Sequence, residues 1–450
     1  MSADLRAAVE REMPGVRADL ERLVRIPGIA FAGYDFSHVE RSAEAVADLL
    51  RGAGLPDVRV VRAGNGQPAV IGRRPAPPGA PTVLLYAHHD VQPPGDLGQW
   101  LSEPFEPVER NGRLYGRGTA DDKAGVMAHV AALRAFGDDL PVGVVVFVEG
   151  EEEFGSESLG ELLETYRDDL ASDVIVIADS GNWDVGQPAL TVGLRGMVNV
   201  FVDVKVLDHA VHSGMFGGPV PDALTVLSRL VATLHDDSGD VAVAGLHKGE
   251  GAALDYPADR FRHEAGMLDG VETIGTGGLA EMAWTRPAIS VLGIDAPPTA
   301  GAPNALVPAA RAKISLRIAP GDTAESAHQA LRTHLETHAP WGARVTVTLE
   351  ASGDPFRIDA TGPAYDAARA AFAEAWDGTA PVDIGVGGSI PFIATFQEMF
   401  PKASVLVTGV EDPDARAHGP NESLHLGEFA KVCLAEALLL RNVAKQVQAG

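Results

Sequence analysis

VLLYAHHD (83–90) is an apolar run that ends abruptly in two imidazoles and a carboxylate. The uninterrupted VLLYA (83–87) predicts a strand buried on both faces of a sheet. VVVFV (144–148), VIVIA (174–178) and SVLVT (404–408) read the same way. Helical patterns lie among them at 122–135, 159–170 and 426–447. Strands alternating with helices predict an α/β domain: a mixed, mostly parallel sheet with helices on both faces.

The middle of the chain changes period. MVNVFVDVKV (197–206) alternates apolar and polar residues, as a strand with one wet face does. A helix is expected over 222–234 and a loop-rich stretch over 235–283. ISVLGI (289–294), AARAKISLRI (309–318) and RVTVTL (344–349) are further strands, with a helix over 324–338. The chain of 450 residues is too long for one core. The expected organisation is a larger α/β domain, 1–193 and 358–450, interrupted by a smaller α+β unit, 194–357.

Composition narrows the class of partner. A formal net charge of −26 argues against nucleic acid and anionic membranes, which both reward positive charge. No segment approaches the roughly 18 apolar residues of a membrane span. The opening MSADLRAAVEREMPGV (1–16) reads as a polar helix rather than an export signal. The single cysteine, Cys433, has no partner for an internal disulfide, which fits a reducing compartment. A cytoplasmic protein is therefore expected.

The strand ends carry the chemistry. In open α/β sheets ligands gather beyond the carboxyl ends of the strands. Side chains alternate along a strand, so His88 and Asp90 share a face and His89 points away. A carboxylate two residues from an imidazole can orient it as a metal ligand. VVVFV runs into Glu149-Gly150-Glu151-Glu152-Glu153. Crowded carboxylates repel, and a divalent cation would relieve them and leave one glutamate free as a general base. VIVIA is followed by Asp179, SVLVT leads to His418, and Asp121-Asp122 opens a helix. Each alone has an ordinary explanation: an acidic loop, a helix N-cap, a turn. Four strand ends and one helix start bearing ligand-type residues together point to metal. Mixed imidazole and carboxylate donors suit zinc, and cobalt or manganese can serve the same set. Two such ions, about 3.5–4 Å apart, would activate a water for amide hydrolysis.

The motifs resemble the zinc aminoacylase/carboxypeptidase family, which includes carnosinase-like dipeptidases. They are LLYAHHDVQP (84–93), LYGRGTADDKAG (114–125), VEGEEEFGSES (148–158), VIADS (176–180), HSGMFGG (212–218), NALVP (304–308), SLRIAP (315–320), GGSIP (387–391) and AHGPNE (417–422). The resemblance implies two zinc ions per subunit bridged by Asp121, with His88 and Asp179 on one and Glu153 and His418 on the other. It implies that Glu152 is the general base for a metal-bridging water, and that Asp90 orients His88. The Asp121–Asp122 bond falls where the family has a cis peptide. The inserted unit resembles the family's lid and dimerisation domain, so a homodimer is expected. His212 matches a histidine that stabilises the oxyanion in the partner subunit's site. Asn304 matches a substrate contact, Arg317 a guanidinium that binds the substrate carboxylate, and Gly388 and Ser389 a loop that holds the peptide backbone.

The chain departs from that pattern in two places. Gly385-Val386 stands where the dipeptidases often have Arg-Glu, which puts specificity in question. Ala210-Val211 precedes His212 in place of the commoner Asp-Leu. The segment MAWTRPAISVLGI (282–294) resembles the dipeptidase branch more than the shorter deacylases. The expected activity is hydrolysis of dipeptides or short peptides. The alternatives are an N-acyl-amino-acid deacylase or carboxypeptidase on the same scaffold, and a non-catalytic metal-binding relative. Glu152 speaks against the last, because a dead relative would most simply have lost its base.

Overall fold

VLLYA becomes the strand Thr82–His88, buried from Val83 onward. The computed structural model describes residues 2–249, 251–252, 254–387 and 391–447. Thr82–His88 pairs in parallel with Gly143–Glu149 on one side and with Val174–Ile177 on the other. Ser404–Val407 extends the parallel set beyond Val174–Ile177. The carboxyl ends of these four strands therefore emerge at one edge. The flanks are antiparallel: Ala69–Arg74 against Gly143–Glu149, Asp57–Val61 beyond it, and Ala189–Leu194 against Ser404–Val407 at the other side. The centre of the mixed sheet is thus parallel.

Helices cover this sheet because their apolar residues exceed one stripe. Lys123–Phe136 is buried over its first eleven residues and packs among Ser2–Val24 and Leu426–Val447. Helix Pro391–Met399 brings Phe396 edge-on against Tyr86 and Phe147 of adjacent strands. The expected helix over 159–170 is two short ones, Leu159–Thr165 and Arg167–Leu170, broken at Tyr166. Asp169 in the second takes the guanidiniums of Arg59 and Arg73, which ties that turn to the sheet. Cys433 is buried. No described helix is long and apolar enough to cross a membrane.

The chain divides into two compact units. One comprises 2–192, 358–384 and 391–447; the other comprises 193–357 and takes in 385–387. The smaller unit is an antiparallel sheet in the order Ala288–Asp295, Ala309–Ile318, Gly196–Lys205, Arg344–Gly353. Burial along Gly196–Lys205 alternates strictly, with Val198, Val200, Val202 and Val204 inward. That face meets Leu227 and Leu230 of helix Ala223–Ala232 and Leu331 and Leu335 of helix Ala324–Thr337. The stretch expected to be loop-rich also holds the short helices Ala258–Glu264 and Leu279–Trp284.

Candidate metal centre

The pleat of Thr82–His88 puts Tyr86 and His88 on one face, and in register with them stand Phe147 and Glu149. His89 points the other way, as alternation predicts. Its Nε2 donates to the Pro68 carbonyl at 2.8 Å, and burial lowers its pKa to about 4, so it is neutral. His88 is fully buried, with Nε2 3.1 Å from Asp121 Oδ1 and 3.8 Å from Asp179 Oδ1. Its Nδ1 lies 3.4 Å from Asp90 Oδ1. Asp90 also accepts the backbone N–H groups of Glu152 and Glu153, both at 3.1 Å. One carboxylate thus fixes the His88 ring and the loop that carries the glutamates.

The four acidic residues after VVVFV separate into distinct tasks. Glu149 lies beneath the site and accepts the Tyr86 hydroxyl at 2.7 Å. Glu151 braces the loop by accepting N–H groups of Gln67 and Ser158. Glu153 is clasped by Gln92, whose backbone N–H and side-chain amide donate to its two oxygens at 3.1 and 2.7 Å. Glu152 is left, with an oxygen in the same cluster as His88 and Asp179, ligand atoms all within 4.8 Å of one another. A second such set joins His88, Asp121 and Glu153. Gly150 is required here: a Cβ would lie 2.2 Å from the Pro68 carbonyl oxygen.

Asp121 sits between the two imidazoles. Its Oδ2 is 3.0 Å from His418 Nε2, which also lies 3.1 Å from Glu153 Oε2. His418 adopts a left-handed backbone, φ 62°, in the loop after Ser404–Val407. The Asp121–Asp122 peptide is cis. Asp122 turns its carboxylate back to accept the His88 N–H at 3.1 Å. Gly125 lets the following helix approach, since a Cβ there would meet the Ala178 carbonyl oxygen at 2.6 Å.

The electrostatics describe a site built for cations. Burial, reinforced by Asp179, pushes the Glu152 carboxyl well above the usual range. Burial likewise raises Glu153, and raises Asp179 to about 7. Burial opposes ionisation of Asp121, but the hydrogen bonds from His418 and His88 hold its carboxyl well below the usual range. The same pairs raise His418 to about 11. Burial works against charge on His88, yet Asp121 and Asp90 keep its pKa well above normal. Of the four clustered carboxyls, burial thus keeps protons on Glu152, Glu153 and Asp179, while Asp121, with Asp90 and Glu153, keeps protons on the two imidazoles. Two divalent cations in place of those protons would balance the four carboxylates and leave the imidazoles neutral, the form that binds metal. The residues fit a dinuclear metal centre, with Asp121 the natural bridge.

Three supporting residues were not singled out by the sequence reading. Glu422 is fully buried; its Oε1 accepts the N–H groups of Ala120 and Asp121, and its Oε2 accepts those of Gly118 and Arg117 Nη1. It lay within the matched AHGPNE, which was the available signal. Gln92 likewise lay within the matched LLYAHHDVQP. Glu411 faces Gly181 across a bridge, two residues beyond Asp179, and burial and Asp121 raise its pKa well above normal.

In the smaller unit, His212 ends a two-residue strand opposite Ala305, and Ser213 N–H bonds to the Asn304 carbonyl at 3.0 Å. His212 and Asn304 are thus neighbours. His212 Nδ1 accepts the Gly214 N–H at 3.0 Å, which leaves the ring proton on Nε2, exposed as a donor. Arg317 lies on Ala309–Ile318, on the face opposite the core. Gly388 and Ser389 lie outside the described residues.

Comparison with known proteins places this geometry. The model for peptidase family M20/M25/M40 matches residues 84–442. A cysteinylglycine-S-conjugate dipeptidase of Corynebacterium striatum is 38% identical, over 90% of this chain and 90% of that one. A Beta-Ala-His dipeptidase of Rattus norvegicus is 30% identical, over 92% of this chain and 85% of that one. The fold superimposes on the di-peptidase Dug1p of Saccharomyces cerevisiae with a TM-score of 0.84 at 24% identity, covering 99% of both chains.

Proposed function

The chain belongs to peptidase family M20/M25/M40, and from that premise we propose a dinuclear zinc dipeptidase whose general base is Glu152. It is a metal-dependent hydrolase of dipeptides. The observation that carries the dinuclear reading is the division of Asp121, one oxygen toward His88 and the other toward His418.

His88, Asp121 and Asp179 would hold one ion, and Asp121, Glu153 and His418 the other, with cobalt or manganese able to replace zinc. The bound metal supplies an acidified water and polarises the scissile carbonyl. Glu152 takes the proton from that water and gives it to the leaving amine. An oxygen of Glu152 lies in the same cluster as His88 and Asp179, where that water would be held. Asp90 keeps the His88 ring in place. His212 Nε2–H donates to the developing oxyanion, Asn304 contacts the peptide, and Arg317 takes the substrate's terminal carboxylate. Gly388 and Ser389 hold the peptide backbone.

We place His212 in the site of a second copy of the chain, in a homodimer formed through the smaller unit. The protein works in the cytoplasm on small peptides, without nucleic acid or membrane; the net charge of −26 and the lone buried Cys433 support that setting. Assay of dipeptides beside N-acetyl and N-succinyl amino acids, before and after chelation, tests the proposal. Dipeptides should be cleaved and chelation should stop it. Turnover confined to the acyl compounds would overturn it in favour of a deacylase.

A further inference from the structure

Arg195 and Arg317 stand together on the outer face of the smaller unit's sheet. Arg317 is directly opposite Met197, two residues after Arg195, and the inward face of both strands is apolar. The two arginines are therefore diagonal neighbours, with Cα atoms about 7–8 Å apart, well within reach of long side chains. Among the described residues neither guanidinium pairs with a carboxylate. Arg195 spends little of its donor capacity. Nη1 makes two long contacts, 3.5 Å to the Met282 carbonyl and 3.4 Å to the Arg286 carbonyl. Its Nε is buried with no partner.

A half-buried cation with unspent donors is costly, and a like charge beside it raises the cost. Burial, and then Arg317, lower the Arg195 pKa to about 10. An anion seated between the two forks would relieve both penalties. The segment 385–387 meets Arg195 with backbone rather than with charge. The Arg195 backbone N–H bonds to the Val386 carbonyl at 3.2 Å, and a Cβ on Gly387 would lie 2.7 Å from Arg195 Nη2. Val386 carries no charge that could neutralise Arg195.

We propose that Arg195 joins Arg317 in a two-guanidinium site for the substrate's terminal carboxylate, and so sets the preference for a free acid. This rests on the dipeptidase reading. A carboxylate offers two oxygens with about four lone-pair positions, enough to accept from both forks. Arg195 is then a binding residue and has no part in moving protons.

The test uses the metal-loaded, full-length protein carrying Glu152→Gln, so that binding is measured without turnover. Calorimetric titration with a dipeptide and with its C-terminal amide is compared in that background and after adding Arg195→Gln. Arg195→Gln should weaken the free acid ten-fold or more and leave the amide unchanged; Arg195→Lys should recover part of the loss. An acid-to-amide ratio that Arg195→Gln leaves intact, or an equal loss on both ligands, would overturn the assignment. In the Glu152-intact protein, Arg195→Gln should raise KM for the acid while kcat holds. If the Glu152→Gln protein bound no dipeptide at all, the hydrolysis reading would fall together with this one.

Discussion

Glu422 Oε1 accepts the backbone N–H of Asp121 at 3.1 Å, and the same oxygen takes the Ala120 N–H at 2.9 Å. The backbone of Asp121, the residue proposed to bridge the metals, is thus held from behind by an acid about three hundred positions away. Glu422→Gln would turn an amide NH2 toward N–H groups that need an acceptor. Each buried N–H left unsatisfied costs about 1–3 kcal/mol. Metal affinity should fall about 10–100-fold, as for outer-shell partners generally. Titration of the apo protein with zinc reads this directly, and unchanged affinity would remove Glu422 from the support of Asp121.

Glu152→Gln keeps size and polarity but cannot accept a proton. It should retain both metals and lose about 10²–10⁴-fold in kcat, the range for general-base removal. Metal analysis and steady-state kinetics on one preparation check it. A variant turning over within a few-fold of the parent would show that the proton goes elsewhere.

His212 is exposed, and its ring proton lies on Nε2. His212→Gln should lower kcat about 10²–10³-fold, the cost of losing one oxyanion donor. Mixing it with a Glu152→Gln protein should restore activity if the histidine serves the other copy's site. Mixed dimers no more active than the two parents would place His212 in its own subunit's chemistry.

His129 provides a pH signature away from the candidate metal centre. Its Nδ1 is 2.8 Å from Glu436 Oε1 and its Nε2 is 3.0 Å from the Tyr86 carbonyl oxygen, all buried. Burial alone would lower its pKa; Glu436 and the carbonyl outweigh burial, and the net shift is upward. A raised folded pKa means stability fully present below the unfolded value of about 6.5 and lost as pH rises through the folded value. The coupling between His129→Gln and Glu436→Gln in urea unfolding should be about 1–3 kcal/mol at low pH and shrink as pH rises. A coupling that grows with pH would contradict the charged pair.

Much of this was readable in the chain because it follows from period and position. VLLYA, VVVFV and VIVIA announced buried strands, and alternation separated His88 from His89 before any coordinates. The ligand types could be read because they cluster at strand ends. What could not be read was the division of labour among Glu149, Glu151, Glu152 and Glu153, since it depends on which backbone N–H or hydroxyl each carboxylate meets. Glu422 escaped for a related reason. Its partners at 117–121 lie some three hundred positions away, and only the fold joins them. Arg195 escaped because an unpaired arginine is recognised by what fails to surround it, and sequence does not record that.

The sharpest measurement is activity against metal content. The purified protein is stripped of metal, assayed on a dipeptide, then titrated with zinc. Turnover should vanish on stripping and return to a plateau at two equivalents per chain, as a carboxylate-bridged pair requires. Undiminished turnover in the stripped protein, or a plateau at one equivalent, would contradict a centre in which Asp121 joins two cations.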